Sequence, residues 1–222
     1  MPAACALIRA GSADLGLMDP DQIDLSNLPR QVLFGESDIG DLKVVAAARH
    51  LSAMLPSATI EAIPHSLDIV NSAEIIARFH FVIDATDSPA TKFLINDVCI
   101  ELGVPFVYGG VLGLSGQAMT IIPGTTACLR CLFEEPPDEA DVASCREAGI
   151  IGPVAGAIGE AQAAEALNFM HGRMPALAGR MLTLDGSRSG RVRLTPIAAR
   201  VGCRCGAAES KAMAEGFPSS AR

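Results

Sequence analysis

The chain is short of positive charge. Its 222 residues carry 17 lysines and arginines against 25 acidic side chains, a formal net charge of -8 with a pI near 5.0. A protein that grips nucleic acid without sequence preference needs a basic field to neutralise phosphates, so that class is excluded and a small molecule or another protein is the expected partner. A membrane span is lacking too. The longest apolar stretch, residues 149–170, is interrupted by Glu160, Gln162, Glu165 and Asn168, and it falls short of the ~18 continuous apolar residues that a spanning helix needs. Residues 1–9 have no basic region ahead of an apolar one, which excludes a secretory signal there and leaves the cytosol as the expected compartment. No internal repeat is present, and none of the four histidines has a partner at catalytic or ligand spacing. Aromatic residues are scarce at 4% with no tryptophan; the single Tyr108 and the methionines read as core.

What is present is apolar material, 50% of the side chains, enough for one sizeable core but not for two full domains. One domain over residues 1–206 followed by a flexible tail, 207–222, is expected. Residues 3–10 read as a helix ending at Gly11 and residues 15–18 as a strand. A helix opens at Gly40-Asp41, with Val44, Ala47, Ala48, Leu51 and Leu55 at helical spacing, and stops at Pro56. Residues 59–63 alternate like a strand, 67–79 form a short amphipathic helix, and 81–83 are a buried strand. Ser88-Pro89 supplies an N-cap and a proline at the first helical position, predicting a helix over 89–102 with Gly103 as its stop. A strand at 104–108 follows. This alternation predicts an α/β fold with a Rossmann-like, doubly wound, mostly parallel sheet. Beyond Gly109-Gly110 the pattern changes: strands at 117–122, 181–184 and 191–194, the last two paired about Asp185-Gly186, predict mixed or antiparallel additions. A Pro153 helix runs to about residue 171, and the acidic, proline-containing residues 134–141 read as a mobile loop.

The chemistry-bearing residues begin just past the first strand. Asp19 is placed to accept hydrogen bonds from ribose hydroxyls, and Ser26, Asn27, Arg30 and Gln31 follow as a dense polar set. A phosphate-bearing ligand between Asp19 and Arg30 accounts for both. Arg30 offers a bidentate fork for phosphate. Lys43 falls in a first helical turn, where the macrodipole disfavours a cation; a bound anion or simple solvation would account for it. Asp87, at a strand end, suits Mg²⁺ held with phosphate oxygens; a helix N-cap role beside Pro89 is the other reading, and the two can coexist. Cys128-Leu-Arg-Cys131 and Cys203-Arg-Cys205, in a reducing compartment, point to a metal site, with redox or unpaired thiols as the alternative. Cys5 and Cys99 read as small core residues.

Together, Asp19…Ser26-Asn-Leu-Pro-Arg30-Gln31, Lys43, Asp84-Ala-Thr-Asp87, Cys128-Leu-Arg-Cys131 and Cys145-Arg-Glu-Ala-Gly resemble the ThiF/MoeB/HesA family, bacterial relatives of ubiquitin-activating enzymes, over roughly residues 3–206. The resemblance implies ATP-dependent adenylation of the C-terminal glycine of a small ubiquitin-like sulfur-carrier protein, in a homodimer. It implies Asp19 at the ribose, Asn27, Arg30 and Lys43 at the phosphates, and Asp87 at the metal and phosphates, with Ser26, Gln31 and Ser88 in the same motifs. It also implies Zn²⁺ on Cys128, Cys131, Cys203 and Cys205, and in some relatives a covalent carrier link at the cysteine matching Cys145. Departures are Pro29 for a glutamine, Ser88 for an asparagine, and C-x-C for the second C-x-x-C.

Relatives place a strand and a G-x-G-G-x-G loop immediately before the helix that opens this chain, and they supply an arginine from an N-terminal segment. These are absent. The expectation is a reading frame opened at a methionine inside the loop, two unpaired apolar strand edges in the middle of the sheet, and activity in doubt for these residues alone. A non-catalytic zinc-containing carrier-binding module is the second hypothesis. A nicotinamide-dependent dehydrogenase shares the acidic residue after a strand but does not account for Arg30, Lys43 or the cysteine pairs.

Overall fold

The structure is a computed structural model that describes residues 1–12, 14–137, 149–188 and 190–206. Helix α1 (Pro2–Arg9) buries Ala4, Cys5, Leu7 and Ile8. It closes with Gly11 N–H on Ile8 O and Ser12 N–H on Leu7 O, both 3.0 Å, a Schellman pair that satisfies the last carbonyls. Strand β1 (Asp14–Met18) pairs in parallel with β2 (Thr59–Ile63). Helix α2 (Lys43–Met54) crosses between them and buries Val44, Ala46, Ala47 and Leu51. Parallel neighbours require such a crossover, so the helix face that reads as apolar is the one laid on the sheet.

A second sheet runs β3 (Val82–Asp84), β4 (Phe106–Leu112), β5 (Ser115–Ile121), β6 (Arg180–Asp185) and β7 (Arg191–Pro196), in that order. β3 and β4 are parallel and the remaining pairs are antiparallel. The expected architecture is therefore found, with parallel pairing confined to β1–β2 and β3–β4. No strand among the described residues lies between β1 and β3, so each has an unpartnered edge. Helices bridge that gap. Ala3 and Leu7 of α1, Ala163 and Ala166 of α6 (Gly152–Met170), Leu15 of β1 and Ile83 of β3 share one apolar cluster. The bridge depends on close approach: a Cβ on Gly159 would fall 2.7 Å from Pro2 Cβ and 2.9 Å from Ala3 N, so only glycine lets α6 and α1 touch there. The largest core cluster lies elsewhere, around Phe106, Met119, Ile121 and Cys99 between β4, β5 and helix α4 (Pro89–Leu102). Fully burying each large apolar side chain contributes about 1.5–3 kcal/mol.

Helix α4 has the bounds its sequence predicts, with the Ser88 hydroxyl accepting Thr91 N–H and Gly103 left-handed at φ 71. Two expectations change. The 67–79 helix shrinks to α3 (Ser72–Ile76), because the Asp68 carboxylate takes the Val70 and Asn71 N–H groups and holds the backbone out of helix; Ile69 and Val70 are left 85% and 87% exposed. Strand β4 starts at Phe106 instead of Val104, since Val104 N–H is spent on Cys99 O at the α4 terminus and Pro105 has no N–H to give. It then continues through Gly109-Gly110. Helix α5 (Leu129–Leu132) is a single turn. The acidic stretch from residue 138 onward, Cys145 and the tail from residue 207 lie outside the described residues.

Candidate functional site

At the C-terminal end of β1, Lys43 is buried at 7% exposure, which overturns a solvated lysine. Its ammonium stands 2.6 Å from Asp21 Oδ2 and 3.9 Å from Asp19 Oδ2, so carboxylates compensate a cation that the α2 dipole disfavours. Sequence reasoning missed Asp21, although its place two residues after Asp19 was visible. Burial raises the Asp19 carboxyl above its usual range, with the Asp21 N–H and Lys43 opposing. Burial likewise lowers the Met1 α-amine, which lies close enough to feel Asp19 and Lys43.

The polar residues that follow form a small folded unit. Asn27 Oδ1 accepts Asp24 N–H at 3.2 Å while the Asp24 side chain caps Ser26 N–H at 2.8 Å. Asn27 therefore has a structural task in addition to any ligand contact. Arg30 Nη1 donates to Ser26 O at 2.8 Å. Gln31 Oε1 is buried with no hydrogen-bond donor, an orphan that a bound ligand's hydroxyl or amine would satisfy. The start of α6 presses on this unit: a Cβ on Gly152 would meet Pro29 O at 2.8 Å.

At the end of β3, Asp84 is fully buried, and Asp87 is exposed three residues on. Ser88 is the α4 N-cap, so the alternative capping role of this pair falls to Ser88 and not to Asp87. Lys92 and Gln162, to which sequence assigns nothing, both reach Asp84. Gln162 is 78 residues away in the chain, and no local signal could reveal it. No hydrogen bond or ion pair among the described residues joins Asp87 to the Asp19–Lys43 cluster.

The four remaining candidates converge. The Sγ atoms of Cys128, Cys131, Cys203 and Cys205 all lie within 4.8 Å of one another, with Cys128–Cys203 at 3.7 Å, Cys131–Cys205 at 3.3 Å and Cys203–Cys205 at 3.5 Å. Four ligands at about 2.3 Å around a tetrahedral centre stand about 3.8 Å apart, so the donor set fits one metal ion and the C-x-C bite does not prevent closure. Burial pushes the Cys128 thiol up to about 11. Burial also opposes ionisation of Cys131, but the N–H groups of Arg200 and Cys128 bring that thiol down to about 7. Arg130, between the first two cysteines, forms a two-pronged pair with Asp97 of α4 at 2.8 Å.

Residues 1–205 match the ThiF family. The chain belongs to the ThiF family. Within it, the chain is 36% identical over 200 residues to the sulfur carrier protein adenylyltransferase of Thermus thermophilus, covering 88% of this chain and 74% of that protein. It is 39% identical over 193 residues to the adenylyltransferase and sulfurtransferase MOCS3 of Caenorhabditis briggsae, covering 86% and 48%. The chain thus spans about half the length of that relative. Among solved structures, E. coli MccB bound to MccA superposes with a TM-score of 0.80 at 20% identity, over 92% of this chain and 62% of that one. PaaA superposes at 0.71 and 22%, over 88% and 60%. These two likenesses concern the ThiF fold. No described helix is long and apolar enough to cross a membrane.

Proposed function

We propose that this ThiF-family chain adenylates the C-terminal glycine of a small ubiquitin-like sulfur-carrier protein. A carboxylate oxygen of the carrier attacks the α-phosphorus of ATP, the bond to the bridging oxygen breaks, and pyrophosphate leaves. The observation that carries the reading is the buried Lys43 held beside Asp19 at the end of β1, in a chain so similar to a sulfur carrier protein adenylyltransferase. Attack of one anion on another needs fixed positive charge in a water-poor site. Lys43 has three N–H donors and Asp21 occupies one, so two are left for phosphate. Arg30 supplies a second cation, and Asn27, its oxygen already committed, keeps its NH₂. Asp19 receives the ribose hydroxyls, and the orphaned Gln31 oxygen supports a ligand donor nearby. Asp87 holds Mg²⁺, which when bound neutralises phosphate charge. The four cysteines hold Zn²⁺ as a structural clip. Cys145 is a nucleophile only if a covalent carrier adduct forms. The protein works as a cytoplasmic homodimer.

The test is carrier-dependent exchange of labelled pyrophosphate into ATP. It is run with this chain and with one extended at its N-terminus by an apolar strand and glycine-rich loop of the kind relatives carry. Exchange by either supports the reading, and none by the extended chain overturns it. A non-catalytic zinc-containing carrier-binding module is the second reading, favoured by the gap between β1 and β3, which no described strand fills. It predicts carrier binding without turnover.

A further inference from the structure

Asp84 is the last residue of β3 and has no exposed surface, so it cannot touch a ligand from the solvent side. Its partners come from three separate elements. Lys92, in the second turn of α4, places its ammonium 3.1 and 3.3 Å from the two carboxylate oxygens and donates to Gly109 O of β4 at 2.5 Å, with the Tyr108 ring 5.0 Å away. Gln162 of α6 donates to Asp84 O at 2.7 Å. Thr86 closes the turn on the other side, its N–H and hydroxyl reaching Asp84 Oδ1 at 3.0 and 2.7 Å. Gly109 is glycine for the same network: a Cβ there would fall 2.4 Å from Gln162 Nε2.

Buried ion pairs are a poor way to gain stability, because desolvation offsets their attraction, and apolar residues of similar size would hold β3 to α4 as well. What this pair fixes is direction. Asp87 is exposed and leaves the fold one residue after Thr86, so its position is that of the turn. We propose that Lys92 is a positioning residue for adenylyl transfer: by clamping Asp84 to α4 and β4 it fixes the 84–88 turn and aims Asp87 at the metal and phosphates. The inference rests on the adenylation reading for what Asp87 meets, and on geometry alone for the clamp.

The test compares Lys92→Arg with the double variant Lys92→Met/Asp84→Asn. The double variant leaves no unpaired buried charge, and its asparagine still accepts Thr86 N–H, so it removes the anchor without removing the turn. A melt by circular dichroism establishes that both fold. Expected for the double variant is faster amide hydrogen exchange at Thr86, whose N–H is bonded to the Asp84 carboxylate, but not at residues 93–102. Its pyrophosphate exchange rate should fall 10–100-fold, as when a ligand's supporting partner is lost, with more Mg²⁺ required and KM for the carrier unchanged; Lys92→Arg stays within a few-fold of the parent. Parental protection at Thr86 overturns the clamp, whatever the activity. Loosened amides with a parental rate and Mg²⁺ dependence overturn its part in transfer. If neither the parent nor its N-terminally extended form exchanges pyrophosphate while the amides loosen, the clamp stands and the adenylation reading has failed.

Discussion

Removing the Zn²⁺ proposed for the four-cysteine cluster should cost the domain several kcal/mol. Such a clip would join Cys128 to Cys203 across 75 residues and Cys131 to Cys205 across 74. Treated as a cross-link, closing a loop of that length removes unfolded-state entropy equivalent to about 4.5 kcal/mol. In a domain of this size each kcal/mol moves the melting temperature by about 2–4 °C, so stripping the metal should lower it by about 9–18 °C. Uptake needs thiolates. Cys131, near 7, ionises readily, but Cys128, pushed up to about 11 by burial, must lose its proton to the metal, so affinity should rise with pH and binding should release acid. The assay is elemental analysis of the purified protein with calorimetric melts before and after chelation. Cys203→Ser should reproduce the chelated melt. A metal-free protein that melts where the untreated one does would refute the reasoning.

Glu165→Leu should destabilise strongly. This buried carboxylate accepts Thr120 Oγ1, Ala176 N–H and Leu177 N–H, and each stranded donor costs about 1–3 kcal/mol; urea unfolding would measure it. Gly109→Ala should cost about 1–3 kcal/mol by overpacking against Gln162, read in the same experiment,. The Asp97 carboxyl, pushed up by burial but held below its usual range by Arg130, contributes stability above the unfolded value of about 3.9. That contribution should disappear as pH falls through the lower folded value, and Asp97→Asn should flatten the denaturation midpoint in that window. Lys43→Met should lower pyrophosphate exchange about 100–1000-fold, the scale for losing one preorganised donor.

Local chemistry made some of this molecule legible. Helix α4 follows residue for residue from Ser88-Pro89 and Gly103 because the cap and the stop each act on the residues beside them. The cysteine cluster was legible because C-x-x-C and C-x-C are themselves ligand spacings. Where the sequence misled, a competing short-range interaction won: Asp68 unwound the start of α3, and the α4 terminus took Val104 from β4. The Lys43–Asp21 pair, the Asp84–Lys92 clamp and the Gln162 contact were out of reach because they join segments that only the folded chain brings together. Gly109 looked like the end of a strand, but its missing side chain is the space that Gln162 fills.

Adenylation of the carrier is tested most directly by its product. A quenched reaction of the protein, MgATP and a sulfur carrier ending in Gly-Gly, followed by intact-mass measurement, should show the carrier gaining one AMP. A carrier lacking its last glycine should gain none. Pyrophosphate release without an AMP adduct, or no adduct even with the upstream strand and loop in place, would contradict adenylation at the glycine carboxylate.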